Sequence, residues 1–186
     1  CSSIEVIEIP DSVFFIGAES FSHCVNLNQI KLPDLISFIG DGAFYQCRKI
    51  RKITIPPLVK SIKSSCFMNC SSLIQIQLSN SLQYIEKDSF NNCTSLETIS
   101  IPSSVESIEM CSFYNCKSLK NIEFKGPSSL KCIGRYCFYQ CSLLNQIEIP
   151  DSVTSIKKYT FYGCNNLSHV KIPSAAKSLG KYSFYQ

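Results

Sequence analysis

The chain is poor in the residues on which most enzymes and nucleic-acid binders rely. It has 186 residues with no tryptophan, two methionines and two histidines, and charged side chains make up 17% of it. The net charge is +4, and neither end forms an acidic or basic tail. Because nucleic-acid binders usually gather Lys and Arg on one face, this mild balance disfavours that class. No apolar run approaches the roughly 18 residues of a membrane span.

The scarce chemistry-bearing residues are also far apart. His23 lies near one end of the chain and His169 near the other, so they do not form a shared site. The pattern C-x-x-C is absent, which disfavours zinc, since its tetrahedral sites need converging ligands. The glycines recur singly and form no phosphate-binding loop. We therefore predict a protein without a catalytic centre, cofactor or metal, and hold a hydrolase only as a remote alternative.

A single sequence unit is repeated from one end of the chain to the other. Its anchor phenylalanines lie 23 residues apart, with one step of 25, and are Phe21, Phe44, Phe67, Phe90, Phe113, Phe138, Phe161 and Phe184. A fixed period in this range predicts a solenoid, in which each unit buries its apolar side against its neighbours.

Each unit reads L-x-x-I-x-I-P-x-x-V-x-x-I-x-x-x-S-F-x-x-C when aligned on the phenylalanine. The I-x-I alternation has period two, which predicts a strand with one buried face. Proline then ends the strand, because it has no N–H for the ladder. A second apolar pair, such as Val105 and Ile108, predicts a short extended segment on another side of the coil. The S-F-x-x-C portion is too short for a regular helix and predicts one helical or 3₁₀ turn. The residue before each cysteine, often Asn, is predicted to adopt left-handed backbone angles.

These units resemble the leucine-rich repeat family, specifically its BspA-like subclass with 23-residue units. Leu96 to Cys116 and Leu144 to Cys164 match the pattern at every anchor. The resemblance implies an α/β solenoid: a right-handed superhelix with a parallel β-sheet on the concave face, and short strands with helical or 3₁₀ turns on the convex face. We expect residues 1–186 to form a single solenoid of about eight repeats. Because Cys1 and Gln186 fall inside the repeat register, we expect a fragment of a longer array without caps.

Two units depart from the pattern. Lys125 to Ser129 include two extra residues between the strand and the second apolar pair. Such an insertion is expected to bulge outward, either for a contact or as tolerated drift. Ser79 stands where most units have proline.

Eight of the twelve cysteines form a column three residues after the anchor: Cys1, Cys24, Cys47, Cys70, Cys93, Cys116, Cys141 and Cys164. A cysteine that recurs once per coil beside a phenylalanine behaves as a small buried hydrophobe. We therefore predict free thiols in place of a disulfide framework. Cys111 and Cys132 lie off the columns and are the thiols expected to react.

Tyrosines mark the candidate contact surface. Six crowd into the last three units, beside lysines, and the candidate partner contacts there are Tyr136, Tyr139, Tyr159, Tyr162, Tyr182, Tyr185, Lys158 and Lys181. If each phenylalanine points inward, a flanking tyrosine lies outside. The alternative is that the tyrosines only stack coil upon coil. The outward strand positions form a mixed polar face, on which Arg51 and its neighbour Lys52 are the further candidate contacts.

The resemblance also implies a function. BspA-like proteins are displayed on the surfaces of bacteria and protists and are used in adhesion to host proteins or cells. We therefore expect a non-enzymatic protein-interaction module at the cell surface or secreted, with a host surface or matrix protein as partner. The many unpaired thiols leave a cytoplasmic scaffold as the alternative. Apolar edges at both ends predict end-to-end self-association.

Overall fold

The computed structural model describes residues 1–186 as a stack of eight coils, each with two short strands. The first strands of the coils are β1 Val6–Glu8, β3 Gln29–Lys31, β5 Lys52–Thr54, β7 Gln75–Gln77, β9 Thr98–Ile101, β11 Asn121–Phe124, β13 Gln146–Glu148 and β15 His169–Lys171. The second strands are β2 Phe15–Ile16, β4 Phe38–Ile39, β6 Ser61–Ile62, β8 Tyr84–Ile85, β10 Ser107–Ile108, β12 Cys132–Ile133, β14 Ser155–Ile156 and β16 Ser178–Leu179. We call these two sides of the stack the odd-strand side and the even-strand side.

All strand pairs are parallel and in the register that the repeat predicts. Ile7 is opposite Ile30, and Ile99 is opposite Ile122. The odd strands pair two by two, as β1–β3, β5–β7, β9–β11 and β13–β15. On the even-strand side, β2 pairs with β4, and a continuous six-stranded sheet runs from β6 to β16. The odd-strand side is therefore divided by three seams, whereas most of the even-strand side is continuous.

Proline shapes the corner after six of the eight odd strands. Its carbonyl oxygen accepts a hydrogen bond from the amide three residues on, as from Val105 to Pro102 at 3.1 Å. Ser79 keeps the same turn, since its carbonyl accepts the amide of Leu82 at 3.1 Å. Its hydroxyl also donates to the carbonyl oxygen of Val59 at 3.3 Å. The extra residues after β11 lie on the surface around Gly126, which has a φ of 52°, so the insertion bulges outward as expected.

The third side of each coil is built from turns, and the prediction of a helical or 3₁₀ turn there is wrong. In the fourth coil, the amides of Asp88, Phe90 and Asn92 donate to carbonyl oxygens of the fifth coil at 2.8 to 3.0 Å. The residues between them donate within their own coil, three residues back. A helix would need consecutive amides to bond within the segment. On this turn side, every second amide instead donates its hydrogen bond to the neighbouring coil, so no helix forms.

Left-handed backbone angles explain this alternation. The predicted position before each cysteine is confirmed, with φ between 59° and 70° at His23, Gln46, Asn69, Asn92, Asn115, Gln140 and Gly163. A second left-handed position, four residues earlier, was not predicted. It is occupied by Glu19, Gly42, Ser65, Asp88, Cys111, Tyr136, Tyr159 and Tyr182. Two left-handed residues in five interrupt any right-handed helix.

The anchor phenylalanines form the centre of one continuous core. Their rings stack from Phe21 to Phe184, with successive centroids 5.2 to 5.5 Å apart. The six inner members of the column are almost fully buried. Around them, the apolar columns of leucine, isoleucine, valine and cysteine complete a cluster of 45 buried residues. The inward columns are thus as predicted, and they are most exposed at the ends, where Leu179 is 54% exposed. No helix in the structure has the length and apolar character needed to cross a membrane.

Candidate interaction surface

The six predicted tyrosines lie together on the turn side and form two parallel ladders. One contains Tyr136, Tyr159 and Tyr182, with centroids 4.9 and 5.3 Å apart. The other contains Tyr139, Tyr162 and Tyr185, with centroids 4.9 and 5.1 Å apart. Within each coil, the two rings are 5.7 to 5.8 Å apart and tilted or perpendicular. We call these six residues the tyrosine surface.

The ladders flank the buried phenylalanine column. Each coil places one tyrosine two residues before its anchor and one directly after it, so both project from the turn whose centre is buried. The four inner tyrosines are half-buried, whereas Tyr182 and Tyr185 are 41% and 52% exposed. The rings therefore contact one another from coil to coil and also remain partly open to solvent.

One of the ladders occupies strained backbone positions. Tyr136, Tyr159 and Tyr182 have φ of 57°, 59° and 58°, at the column where the second coil has Gly42. A bulky residue in this region costs roughly 1–2 kcal/mol relative to ordinary angles. Stacked aromatic pairs contribute about 0.5–1.5 kcal/mol each, which offsets much of that strain.

A column of cations accompanies the tyrosine surface. Arg135, Lys158 and Lys181 each precede a tyrosine of the first ladder and are exposed. The Lys181 ammonium lies 4.7 Å from the centroid of the Tyr182 ring. None of the three takes part in the six ion pairs of the protein. Residues 126–186 carry seven Lys and Arg against two Asp and Glu, so the positive net charge belongs to this end.

The structure does not bring Arg51 and Lys52 to this surface. Lys52 begins β5 and Arg51 precedes it, so both lie on the odd-strand side of the third coil. There they line a shallow groove with Gln29 and Lys31 of the preceding strand. They form a separate candidate contact, because they lie in a different coil and on a different side of the stack from the tyrosines.

An exposed apolar patch on the even-strand side was missed by sequence reasoning. It lies in the first three coils and contains Phe14, Phe15, Leu35, Phe38 and Leu58, which are 37 to 67% exposed. The rings of Phe15 and Phe38 stack with centroids 5.0 Å apart. A signal was available, because most later coils have serine at the Phe15 position.

The thiols form a structural ladder that is unsuited to nucleophilic chemistry. All twelve cysteines are free thiols. From Cys47 onward, each column thiol donates to the carbonyl oxygen of the anchor phenylalanine in the preceding coil, at 3.1 to 3.2 Å. Burial raises the pKa of Cys47 and Cys164 to about 12. Cys111 and Cys132 are half-buried, and burial raises the pKa of Cys111 to about 11, which lowers the reactivity expected of it.

The histidines are not arranged for catalysis. The ring of His23 meets that of Tyr45 edge-on, with centroids 5.2 Å apart, while His169 lies on β15 at the other end. No three His, Cys, Asp or Glu side chains converge as a metal site would need.

The coils stack with parallel strands on two sides and turns on the third, and columns of leucine and isoleucine fill the interior. This arrangement defines a leucine-rich-repeat solenoid. A profile of the BspA type leucine-rich repeat region matches residues 1–120 and 85–186 in six copies. The chain therefore belongs to the BspA-type leucine-rich repeat family.

Solved structures agree with this fold. A leucine-rich repeat protein of T. pallidum superposes with a TM-score of 0.72 at 25% identity, over 94% of this chain and 72% of that one. One from Eubacterium ventriosum gives 0.67 at 21% identity, over 98% of this chain and 43% of that one. No curated protein sequence matches the chain.

Proposed function

We propose that the protein is a non-enzymatic interaction module of a BspA-like surface protein, which holds a protein partner on its tyrosine surface in adhesion to host or extracellular proteins. The observation that carries the proposal is the pair of tyrosine ladders beside three unpaired cations. Tyr and Arg are enriched among the residues that dominate binding energy at protein interfaces.

The stacking of the rings makes the surface suited to binding. A tyrosine has few rotatable bonds, and here each ring is also held by its neighbours at about 5 Å. Little side-chain entropy is therefore lost when a partner docks.

The test replaces Tyr159 and Tyr162 by serine together. Binding of the immobilised protein to a panel of purified matrix and serum proteins is measured by interferometry, with the unaltered chain alongside. Tyr84→Ser is the matched control, because Tyr84 is 40% exposed on the even-strand side. We expect the double variant to lose at least about tenfold in affinity, or about 1.4 kcal/mol, and the control to lose none.

Circular dichroism of the double variant separates binding from folding. A folded double variant with unchanged affinity for every partner would contradict the role of the tyrosine surface. Arg51 and Lys52 remain a second proposed contact, tested in the same assay by Arg51→Ala with Lys52→Ala.

The location of the protein in the cell distinguishes adhesion from the alternative function, a cytoplasmic scaffold. The family resemblance supports the cell surface, whereas twelve free thiols are more usual inside cells. Antibody labelling of intact cells that make the protein distinguishes the two, because only a displayed protein is labelled without permeabilisation.

End-to-end self-association is also proposed. Ile172 and Leu179 at one end are 43 and 54% exposed, and the inward residues Ile4, Ile7 and Phe21 at the other end are only partly buried. Concentration-dependent mass in sedimentation would support it, and a constant monomer mass would contradict it.

A further inference from the structure

We infer that the partner segment held on the tyrosine surface is an acidic stretch of polypeptide, whose carboxylates pair with Arg135, Lys158 and Lys181. The inference rests on the proposed function and names the chemistry of the ligand at the same site. Two observations carry it: the orientation of the rings and the unpaired cations.

The tyrosine rings present their edges and hydroxyls, because their faces are already used. Tyr162 is stacked between Tyr139 and Tyr185, while Tyr159 stacks on Tyr136 and meets the Tyr182 ring at an angle of 32°. The edge of an aromatic ring is the positive part of its quadrupole. None of the six hydroxyls bonds to another residue, and none is a buried unpartnered atom, so solvent reaches them. Ring edges and O–H donors both favour a ligand with negative charge.

The cations beside the rings lack an acidic partner within the chain. The two carboxylates of residues 126–186 are already engaged elsewhere. Glu148 lies 3.6 Å from the Lys171 ammonium, and Asp151 accepts the amide of Ser174 at 2.9 Å. Arg135, Lys158 and Lys181 therefore form an uncompensated positive column. Such a column increases the rate of association with an acidic segment and aligns it along the stack.

An extended peptide along the stack has a longer side-chain repeat than the coils, and the cations bridge the difference. One cation occurs per coil, and the adjacent rings advance by 4.9 to 5.3 Å per coil. Side chains on one face of an extended strand are about 7 Å apart. The long, flexible lysines and arginine accommodate this difference, so carboxylates at alternate positions of the peptide reach all three cations. Apolar side chains placed between the carboxylates contact the ring edges.

The same stacking disfavours two other polyanions. Single-stranded nucleic acids bind by placing bases on free aromatic faces, and few such faces remain here. A sulfated sugar chain would meet the cations but leave the aromatic surface largely unused. These two classes are therefore the competing outcomes of the experiment.

The experiment uses the whole chain and a fluorescein-labelled peptide in which Glu alternates with Leu, followed by anisotropy. We expect binding that weakens as salt is added. Replacing Arg135, Lys158 and Lys181 by Gln should weaken it about tenfold. The matched control replaces Arg48, Lys49 and Lys60 by Gln, which removes the same charge from exposed residues that take part in no ion pair and lie in another part of the stack. Equal loss in both variants, or no binding to the unaltered chain, would overturn the inference.

Two further arms separate the ligand classes and the role of the rings. A single-stranded oligonucleotide or a sulfated oligosaccharide of matched charge that binds more tightly than the peptide would also overturn it. Replacing Tyr139, Tyr162 and Tyr185 by Phe keeps the stack but removes the hydroxyls. We expect about threefold weaker peptide binding at an unchanged melting temperature. Unchanged affinity would show that the hydroxyls do not contact the peptide.

The two proposals fail independently. If the Tyr159→Ser, Tyr162→Ser variant loses a protein partner while the acidic peptide never binds, the interaction module stands and the acidic ligand does not.

Discussion

The thiol of Cys116 donates a hydrogen bond to the carbonyl oxygen of Phe90 in the preceding coil, at 3.2 Å. The same oxygen accepts the amide of Cys93 at 3.1 Å, so it has two hydrogen bonds. This arrangement recurs at six successive cysteines. The cysteine column therefore links each coil to the one before it, as well as filling space in the core.

Replacing Cys116 by alanine tests this link. We expect a loss of about 1–2 kcal/mol in the free energy of unfolding, because the carbonyl of Phe90 loses one donor and a small cavity forms. The urea midpoint measures the loss. Cys1→Ala is the control, since Cys1 is exposed and should change stability by less than about 0.5 kcal/mol. Equal effects would show that the column thiols contribute no link.

Alkaline pH should unfold the array in proportion to its buried thiols. Burial raises the pKa of Cys47 and Cys164 to about 12, whereas an unfolded cysteine titrates near about 8.5. The folded state thus favours the protonated thiol. This contribution to stability is complete below about pH 8.5 and is lost as the pH rises through the folded values, at up to about 1.4 kcal/mol per thiol per pH unit.

Urea midpoints from about pH 7 to about pH 11 give the measurement. The Cys47→Ala, Cys164→Ala variant starts from a lower stability but should fall less steeply with pH. Parallel curves would contradict the assignment of the slope to these thiols.

Phe113→Ala should be among the most damaging single substitutions. Phe113 is fully buried and stacks on Phe90 and Phe138, so we expect a loss of about 3–5 kcal/mol. Phe14→Ala is the control, because Phe14 is 67% exposed and its removal should cost less than about 1 kcal/mol. Chemical denaturation measures both, and a loss below about 1 kcal/mol at Phe113 would mean that the anchor column is not the core.

One ion pair should give the array a response to acid. Burial alone would raise the pKa of Glu86, but the Lys63 ammonium at 2.8 Å and the hydroxyls of Ser61 and Ser64 outweigh it, so the pKa is lowered. The stability from this group is present above the ordinary value of about 4.3 and is lost as the pH falls through the lower folded value.

Glu86→Gln should therefore cost about 1–2 kcal/mol at neutral pH and progressively less in acid. The exposed pair of Glu97 and Lys120 supplies the control, since Glu97→Gln should cost less than about 0.5 kcal/mol. Urea midpoints at neutral and acid pH measure both variants. A loss at Glu86 that does not shrink in acid would have a cause other than its charge.

The sequence was sufficient for the coil, its register and its core, because a strict period repeats the same apolar columns eight times. The identity of the inward residues follows directly from Phe113 and its counterparts. The turn was predicted wrongly because apolar spacing carries no information about where amides bond. Asn92 was predicted to be left-handed, but the second left-handed residue, Asp88, is seen only in the structure, where its amide bonds to the neighbouring coil.

The candidate site was predictable in part for a related reason. Tyr159 and Tyr162 are visible in the repeat as aromatics beside an anchor, and the fold places them on one surface. The strand alternation assigned Arg51 and Lys52 to the outward strand face, and the structure places them on the odd-strand side, apart from the tyrosines. The patch around Phe15 was not predicted. Phe15 stands where most later coils have serine, and this difference matters only once that column is known to face solvent.

The seams of the odd-strand side have a mechanical consequence. Across them, the coils are held by sparse bonds such as that from the amide of Glu97 to the carbonyl of Ile74, at 3.3 Å. The sheet from β6 to β16 on the even-strand side has no such interruption. A force that flexes the stack will therefore widen the gaps between β3 and β5, β7 and β9, and β11 and β13 before it separates the even strands, so the molecule should be more compliant in one bending direction than in the other.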